Sequence, residues 1–395
     1  MRVRKSRHYL LGILLMLVVG FAVWSRRGRQ PPKEPIDLHL LEIRCFNEDA
    51  GNGNLLGIQP YMVPADYASE ERFYRKLDGY FAEARKSGFI ADKTVVVLPE
   101  YLGVWLVVAG EKQSVYRART INDATAILIV SNLLSFLRWL PFAKALERAK
   151  CALFQMKAKS MAAIYQRAFS RLASEYRVTI VAGSLFLANP RVTDGVLVAG
   201  RGPLYNVSVV YGPDGRALTP LVRKAFPTEE ELRYVSAGPV EEIPVFQTPA
   251  GRLGVLICAD SWYPQAYRVL KEKGVDIIAV PSFLYPEGGW EEKWRGYSGA
   301  RPPDDVGSGD VQGMKEGEAW TKYALPGRIS ESGARAGINV FLRGDLWDLG
   351  SDGQAIAVTG GRTCRCPRVD GAAIINLWLN AAPAARQKQD VGGER

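Results

Sequence analysis

Three side chains able to do covalent and proton-transfer chemistry stand where an apolar, strand-like run gives out. They are Glu100 at the end of TVVVLPE, Lys224 in PLVRKAF and Cys258 in GVLICADSWYP. A cysteine attacks as its thiolate, and a cationic neighbour such as lysine lowers the thiol pKa from its ordinary value of about 8.5. A glutamate can accept and return protons. Strand ends in open α/β architectures point into the crevice where ligands bind, so three such groups can converge there. Taken singly, each also has an ordinary structural reading, because a cysteine after an apolar strand is usually inert core and a charged strand end is usually solvated.

Histidine is scarce enough to narrow the chemistry. The chain has two in 395 residues, His8 and His39, both near the N-terminus. That disfavours Ser-His-Asp and Cys-His hydrolases and histidine-rich zinc sites, which need an imidazole beside the reacting centre. A base must be sought among carboxylates and lysines. Five cysteines spread from Cys45 to Cys366 do not make a disulfide framework. Cys364 and Cys366 lack the second pair or nearby histidine that would complete a metal site, so they read as strand residues, and neither metal nor cofactor is expected. The net charge of +10 owes much to Arg2, Arg4, Lys5, Arg7, Arg26, Arg27, Arg29 and Lys33, which flank an apolar run. No zinc finger, RNA-binding signature or basic heptad helix follows, so no nucleic-acid partner is expected.

The elements that must position the three groups alternate between strand and helix. Residues 1–8 form a basic tail, and Tyr9 to Trp24 is an uncharged run read as a single-pass membrane anchor, because no small-residue cleavage pattern follows it. At 16 residues it is shorter than the ~20 that span hydrocarbon, with flanking arginines able to snorkel. This places the chain at the cell membrane. Basic residues on both sides leave the orientation open, with the extracytoplasmic side preferred for the catalytic domain. Residues 25–53 read as linker and arm, with Ile36 to Cys45 a candidate first strand. A domain over residues 54–380 follows, then a flexible polar tail over 381–395. Ser69 with Glu70 and Glu71 marks a helix start, and Phe73, Leu77, Tyr80, Phe81 and Ala84 recur at helical spacing before the strand TVVVLPE. A helical insertion near 122–176 contains SNLLSFLRWLPFAKALERAKCALF, which fits equally a segment dipping into a membrane surface and a core-packed helix broken at Pro141.

In this order, the glutamate, lysine and cysteine segments resemble the motifs of the carbon-nitrogen hydrolase, or nitrilase, superfamily, over about Asn54 to Val358. LPEY is similar to its glutamate motif, VRKAFPTEEE to its lysine motif, and GVLICADSWYP with GVDIIAVPSF to its cysteine motif and following strand. Arg328 with Glu331 and then INVFLRGDLWDLGSDGQAIAV resemble its closing helix and final hairpin. The resemblance implies an α/β fold, a four-layer α-β-β-α sandwich of the nitrilase type, here preceded by one N-terminal transmembrane helix. It also implies an enzyme cleaving a non-peptide carbon-nitrogen bond in a small amide or nitrile through a Cys258 thioester, often as a homodimer.

On that resemblance Glu100 is the proton carrier and Cys258 the nucleophile, with Lys224 and the backbone N–H of Ala259 holding the oxyanion. A second catalytic glutamate is expected among Glu229, Glu230 and Glu231, with spacing favouring Glu231. Tyr101, Trp262 and Trp290 are candidate substrate contacts, although aromatic packing accounts for any one of them alone. Asp260 is expected to fix the turn after Cys258. Two positions depart from the pattern, since Trp262 and Gln265 stand where many relatives have arginine and glutamate. The apolipoprotein N-acyltransferases share the triad, which makes acyl transfer to a lipid or lipoprotein amine the alternative enzyme. A catalytically silent, membrane-tethered binding module is the alternative outside enzymes, and the intact triad speaks against it.

Overall fold

The structure, a computed structural model, describes residues 2–381. Its centre is two six-stranded sheets. The first runs in the order Leu40–Phe46, Ala372–Trp378, Asn54–Gln59, Thr94–Leu98, Thr179–Ala182 and Val210–Tyr211. The second runs Val245–Thr248, Gly251–Val255, Ile277–Ser282, Ala336–Phe341, Ile356–Thr359 and Arg362–Arg365.

Alternation along the strands explains why both faces of these sheets are covered. In Asn54–Gln59, Leu55 joins the core shared with the second sheet, whereas Leu56 and Ile58 join the core under the helices. Val95 and Val97 likewise part company with Val96 and Leu98. Gly57 shows how closely the sheets approach, because a Cβ there would lie 2.6 Å from Val340 Cγ1. The helices Glu70–Lys86 and Arg148–Tyr176 supply Phe73, Leu77, Phe81, Tyr165 and Phe169 to the outer face of the first sheet. On the second sheet, a Cβ at Gly254 would meet Leu270 at 2.8 Å and one at Gly337 would meet Leu325 at 3.0 Å, which puts Pro264–Glu272 and Leu325–Ser332 on its outer face. Helix, sheet, sheet and helix make the four layers.

Local signals act as their chemistry dictates. Ser69 caps the first helix by accepting a hydrogen bond from the Arg72 N–H at 3.2 Å. Pro141 sits in a single 3-10 turn, Leu140–Phe142, that separates Leu133–Trp139 from Arg148–Tyr176. The sheet also extends N-terminal to Asn54. Leu40–Phe46 pairs in parallel with Ala372–Trp378, so this part of the expected arm is an edge strand of the main domain.

The N-terminal segment is helical over Arg2–Arg26, which takes in the basic tail. Its base is fastened to the domain, where Lys112 Nζ donates to the carbonyls of Trp24 at 2.5 Å and Arg27 at 2.7 Å. Arg29 pairs with the buried Glu111 at 3.0 Å and donates to the Ser131 carbonyl at 3.1 Å. Among the described residues no single helix is long and apolar enough to cross a membrane. The pair Ile121–Ser131 and Leu133–Phe142 reaches that length and composition only together, across a 93° bend. Of the expected polar tail, residues 382–395 lie outside the described residues.

Candidate active site

The first sheet delivers Glu100 just beyond Thr94–Leu98, and the second delivers Cys258 just beyond Gly251–Val255. Both strands are internal and apolar, so their ends are held on either side. Lys224 follows the short strand Val222–Arg223, which belongs to a separate three-stranded sheet with Leu204–Ser208 and Leu185–Ala188. Backbone conformation is unusual at two of these ends. Cys258 has φ of 50° and Tyr101, directly after Glu100, has φ of 63°. A non-glycine residue in this left-handed region costs of order 1–3 kcal/mol and persists only where surrounding contacts impose it.

The charged groups form a closed buried cluster. Lys224 Nζ donates to Glu100 at 2.7 Å and to Glu231 at 2.6 Å, with all three side chains almost fully buried. Glu231 also accepts from the Thr228 N–H at 2.9 Å in a capping box, which fixes its inward turn at the start of Glu229–Leu232. Glu229 and Glu230 face outward, Glu230 taking a hydrogen bond from the Tyr285 hydroxyl. Asn206 completes the cluster through its Nδ2, which donates to Glu100 at 2.9 Å and to Glu231 at 2.8 Å. Nothing in LYNVSVV marked that asparagine beforehand except its being a polar residue in an apolar strand.

One cation between two carboxylates pushes the two acids apart. Burial raises the Glu100 pKa, and the nearby Glu231 charge adds to that against the pull of Lys224. For Glu231, burial acts the same way but is outweighed by Lys224, Thr228 and Asn206, leaving its pKa below the ordinary value. Burial would discharge Lys224, yet its two carboxylates hold its pKa well above the usual lysine value. Glu231 and Lys224 are therefore fixed ions, and Glu100 is the member able to take up a proton.

The thiol differs from expectation. Burial and the Glu100 charge raise the Cys258 pKa well above its ordinary value, against the opposing effect of Lys224. The lysine charge is largely spent on two carboxylates, so it does not produce a resting thiolate. Glu100 is the adjacent carboxylate able to receive the thiol proton.

Asp260 is a structural clamp. Its Oδ1 accepts from the N–H groups of Ala225 at 2.9 Å and Phe226 at 2.8 Å, and its Oδ2 from Ile257 at 3.2 Å. Burial pushes its pKa up to about 7 against these bonds. Ala259 lies in the first turn of the 3-10 helix Cys258–Trp262, where leading N–H groups have no acceptor within the helix.

Beside Cys258 is a cavity of about 200 Å³ walled by Trp262, Trp294, Tyr297, Trp320 and Phe283, with Glu316 also in its lining. Of the three aromatic residues expected at the substrate, Trp262 lines this cavity. Trp290 does not. Its ring packs edge-on to Phe341 at 5.4 Å, and its backbone N–H donates to Asp352 at 3.0 Å. Tyr101 is also outside the lining, with its ring against Phe186 and Phe283 at 5.1 and 5.5 Å and its phenol facing Glu231. Glu316 was not foreseen, since one acid at a helix start among many carries no distinguishing mark. Among the described residues no three His, Cys, Asp or Glu side chains are grouped to hold a metal ion.

Comparison with known proteins accords with this geometry. A family model described as carbon-nitrogen hydrolase matches residues 63–301. The probable hydrolase YhcX of Bacillus subtilis is 30% identical over 117 residues, which are 30% of this chain and 20% of that protein. A bifunctional nitrilase/nitrile hydratase of Lupinus angustifolius is 32% identical over 111 residues, 28% of each chain. The matched stretches thus span well under half of these relatives. A carbon-nitrogen hydrolase of Helicobacter pylori G27 superposes with a TM-score of 0.51 at 17% identity, covering 82% of this chain and 89% of that one, a likeness of fold.

Proposed function

Because the chain belongs to the carbon-nitrogen hydrolase family, we propose that it cleaves a small amide or nitrile at a non-peptide carbon-nitrogen bond, with Cys258 as nucleophile. The observation that carries this reading is the buried contact of Lys224 with Glu100 and Glu231 beside the Cys258 thiol. With an amide, Glu100 accepts the thiol proton as Sγ adds to the carbonyl carbon. The oxyanion so formed is held by Lys224 and the Ala259 N–H, a role worth about 3 kcal/mol per donor in other acyl-transfer sites. Glu100 then returns the proton to the nitrogen, the carbon-nitrogen bond breaks, and the amine departs from a thioester. Water gives a proton to Glu100 and adds to the thioester carbon, and the acid leaves as the proton returns to sulfur. Glu231 stays ionised throughout and keeps Lys224 charged.

The same reading places the enzyme at a membrane through Arg2–Arg26. Support comes from the side chains of Ile13, Leu15, Met16, Leu17, Val18 and Val19, which are more than half exposed, and from arginines at both ends of the helix. Flotation of the full chain with phospholipid vesicles, against a chain lacking residues 1–27, tests this part. Equal flotation of both would remove the helix from the account.

The catalytic part is tested by intact mass after incubation with short amides, nitriles or phospholipid, beside Cys258→Ala. A small acyl adduct absent from the variant is expected. A fatty-acyl adduct would instead identify an acyltransferase, and no adduct with free Cys258 present would overturn the nucleophile.

A further inference from the structure

The Cys258 cavity holds an acid with no counter-ion. Its walls are the indoles of Trp262, Trp294 and Trp320 with the rings of Tyr263 and Tyr297, and Glu316 contributes the carboxyl. Trp262 packs edge-on to Trp320 at 4.8 Å and to Tyr297 at 5.7 Å, so these rings support one another around the cavity. Three nearby cations are paired with other acids. Lys315 pairs with Glu291 at 2.7 Å, Arg295 with Glu292 at 3.2 Å and Lys322 with Asp310 at 2.6 Å. Among the described residues Glu316 has no salt bridge. Nor does the helix Glu316–Tyr323 need it as a cap, because Glu318 accepts from the Lys315 N–H at 2.9 Å. Glu230, the other acid near the cavity rim through Tyr285, has Lys150 at 4.0 Å.

A carboxylate enclosed by aromatic faces and short of a cation is costly in an empty protein and favourable once an ammonium fills the space. The aromatic rings contribute cation–π attraction and exclude water, which strengthens the ion pair. We propose that this cavity selects short substrates carrying a positive charge, with the ammonium set between the tryptophan faces and paired with Glu316. Burial, opposed by Trp320 and Arg295, pushes the empty-site carboxyl up to about 7, in keeping with a group that lacks its partner. Neutral substrates of the same length would fill the volume but leave the acid unpaired. The inference rests on the hydrolase reading for its substrate, and on the cavity alone for its ligand.

The test separates the two. Cys258→Ala, which cannot turn over, is titrated calorimetrically near pH 8 with n-butylammonium chloride and with 1-butanol. The ammonium should bind at least about tenfold more tightly, a free-energy difference of the size expected of a desolvated cation–aromatic and ion-pair contact. Adding Glu316→Gln should remove that advantage while leaving butanol within about twofold, and an unchanged melting temperature would show that the variant is folded. With active enzyme, 5-aminopentanamide should exceed hexanamide in kcat/KM by a similar factor, mostly through KM, and Glu316→Gln should level the two. Equal affinities for the two probes, binding of neither, or a preference that survives Glu316→Gln would overturn the proposal. Ammonium binding with no hydrolysis of any amide or nitrile would instead retain the cavity's selectivity and overturn the hydrolase reading.

Discussion

Asp260 Oδ1 accepts the Ala225 N–H at 2.9 Å, and that bond ties the residue after Lys224 to the turn that carries Cys258. Lys224 and Cys258 reach the site from different sheets, so their relative position depends on links of this kind. Asp260→Ala leaves three N–H groups, two of them buried, without their acceptor and should destabilise the protein by about 3 kcal/mol in urea unfolding. Kinetically, kcat should fall about 10–100-fold with KM nearly unchanged, because the loss is of alignment. A proportionate change in KM alone would place Asp260 in substrate binding.

The state of the thiol can be read by alkylation. Cys258 is buried with its pKa raised, whereas Cys45 is exposed and serves as an internal reference. Iodoacetamide near neutral pH should label Cys45 first, with Cys258 lagging until the medium is strongly alkaline, as its small thiolate fraction requires. Peptide mass mapping would follow both sites. Faster labelling of Cys258 at pH 7 would mean that a thiolate is already formed and that Lys224 acts on sulfur more than on its carboxylates.

Glu231 has a signature of its own. Its charge is one of the causes raising the Glu100 pKa, so Glu231→Gln should move the acid limb of the kcat/KM profile to lower pH. A shift of about one unit is in the range produced by removing a like charge at a shared site. The rate at the optimum should also fall about tenfold or more, because Lys224 loses one of its two anchors. A lower rate with an unmoved acid limb would leave Glu231 a purely structural partner.

The parts of this site visible in the sequence were those written as contrasts. Glu100 and Cys258 interrupt long apolar runs, and Glu231 completes a capping box with Thr228 that forces it inward. Asn206 is equally central, yet one amide within an alternating strand looks like any other polar position. Trp290 lies outside the lining of the Cys258 cavity, stacked against Trp320 at 6.5 Å, and spacing alone cannot say which side of a wall a ring occupies. Tyr101 also stands outside that lining, at a positive φ that a regular strand end would not have. The Leu40–Phe46 strand was only half legible because its partner is the last strand of the domain. The raised thiol pKa is not legible in the sequence because it depends on how deeply Cys258 is buried and on the Glu100 charge beside it.

Glu316 should also make stability depend on pH. Its pKa is pushed up to about 7 in the folded protein from an ordinary 4.5, so the folded state holds the proton more tightly. For a carboxyl shifted upward the contribution is fully present below the unfolded value and is lost as pH rises through the folded one. Between pH 4.5 and 8 the wild type should lose at most about 3 kcal/mol through this group, and Glu316→Gln should not. The informative quantity is the difference between the two proteins in urea unfolding at several pH values, where other titrations largely cancel. Cys258, Tyr263, Tyr285 and Tyr297 also face the cavity, and burial raises all four, so they remain neutral over this range. The variant should therefore gain on the wild type as pH rises, and saturating n-butylammonium should close the gap by giving the ionised acid its partner. Parallel curves with and without the ammonium would show that Glu316 is solvated after all, and the case for a cation-selective cavity would fall with it.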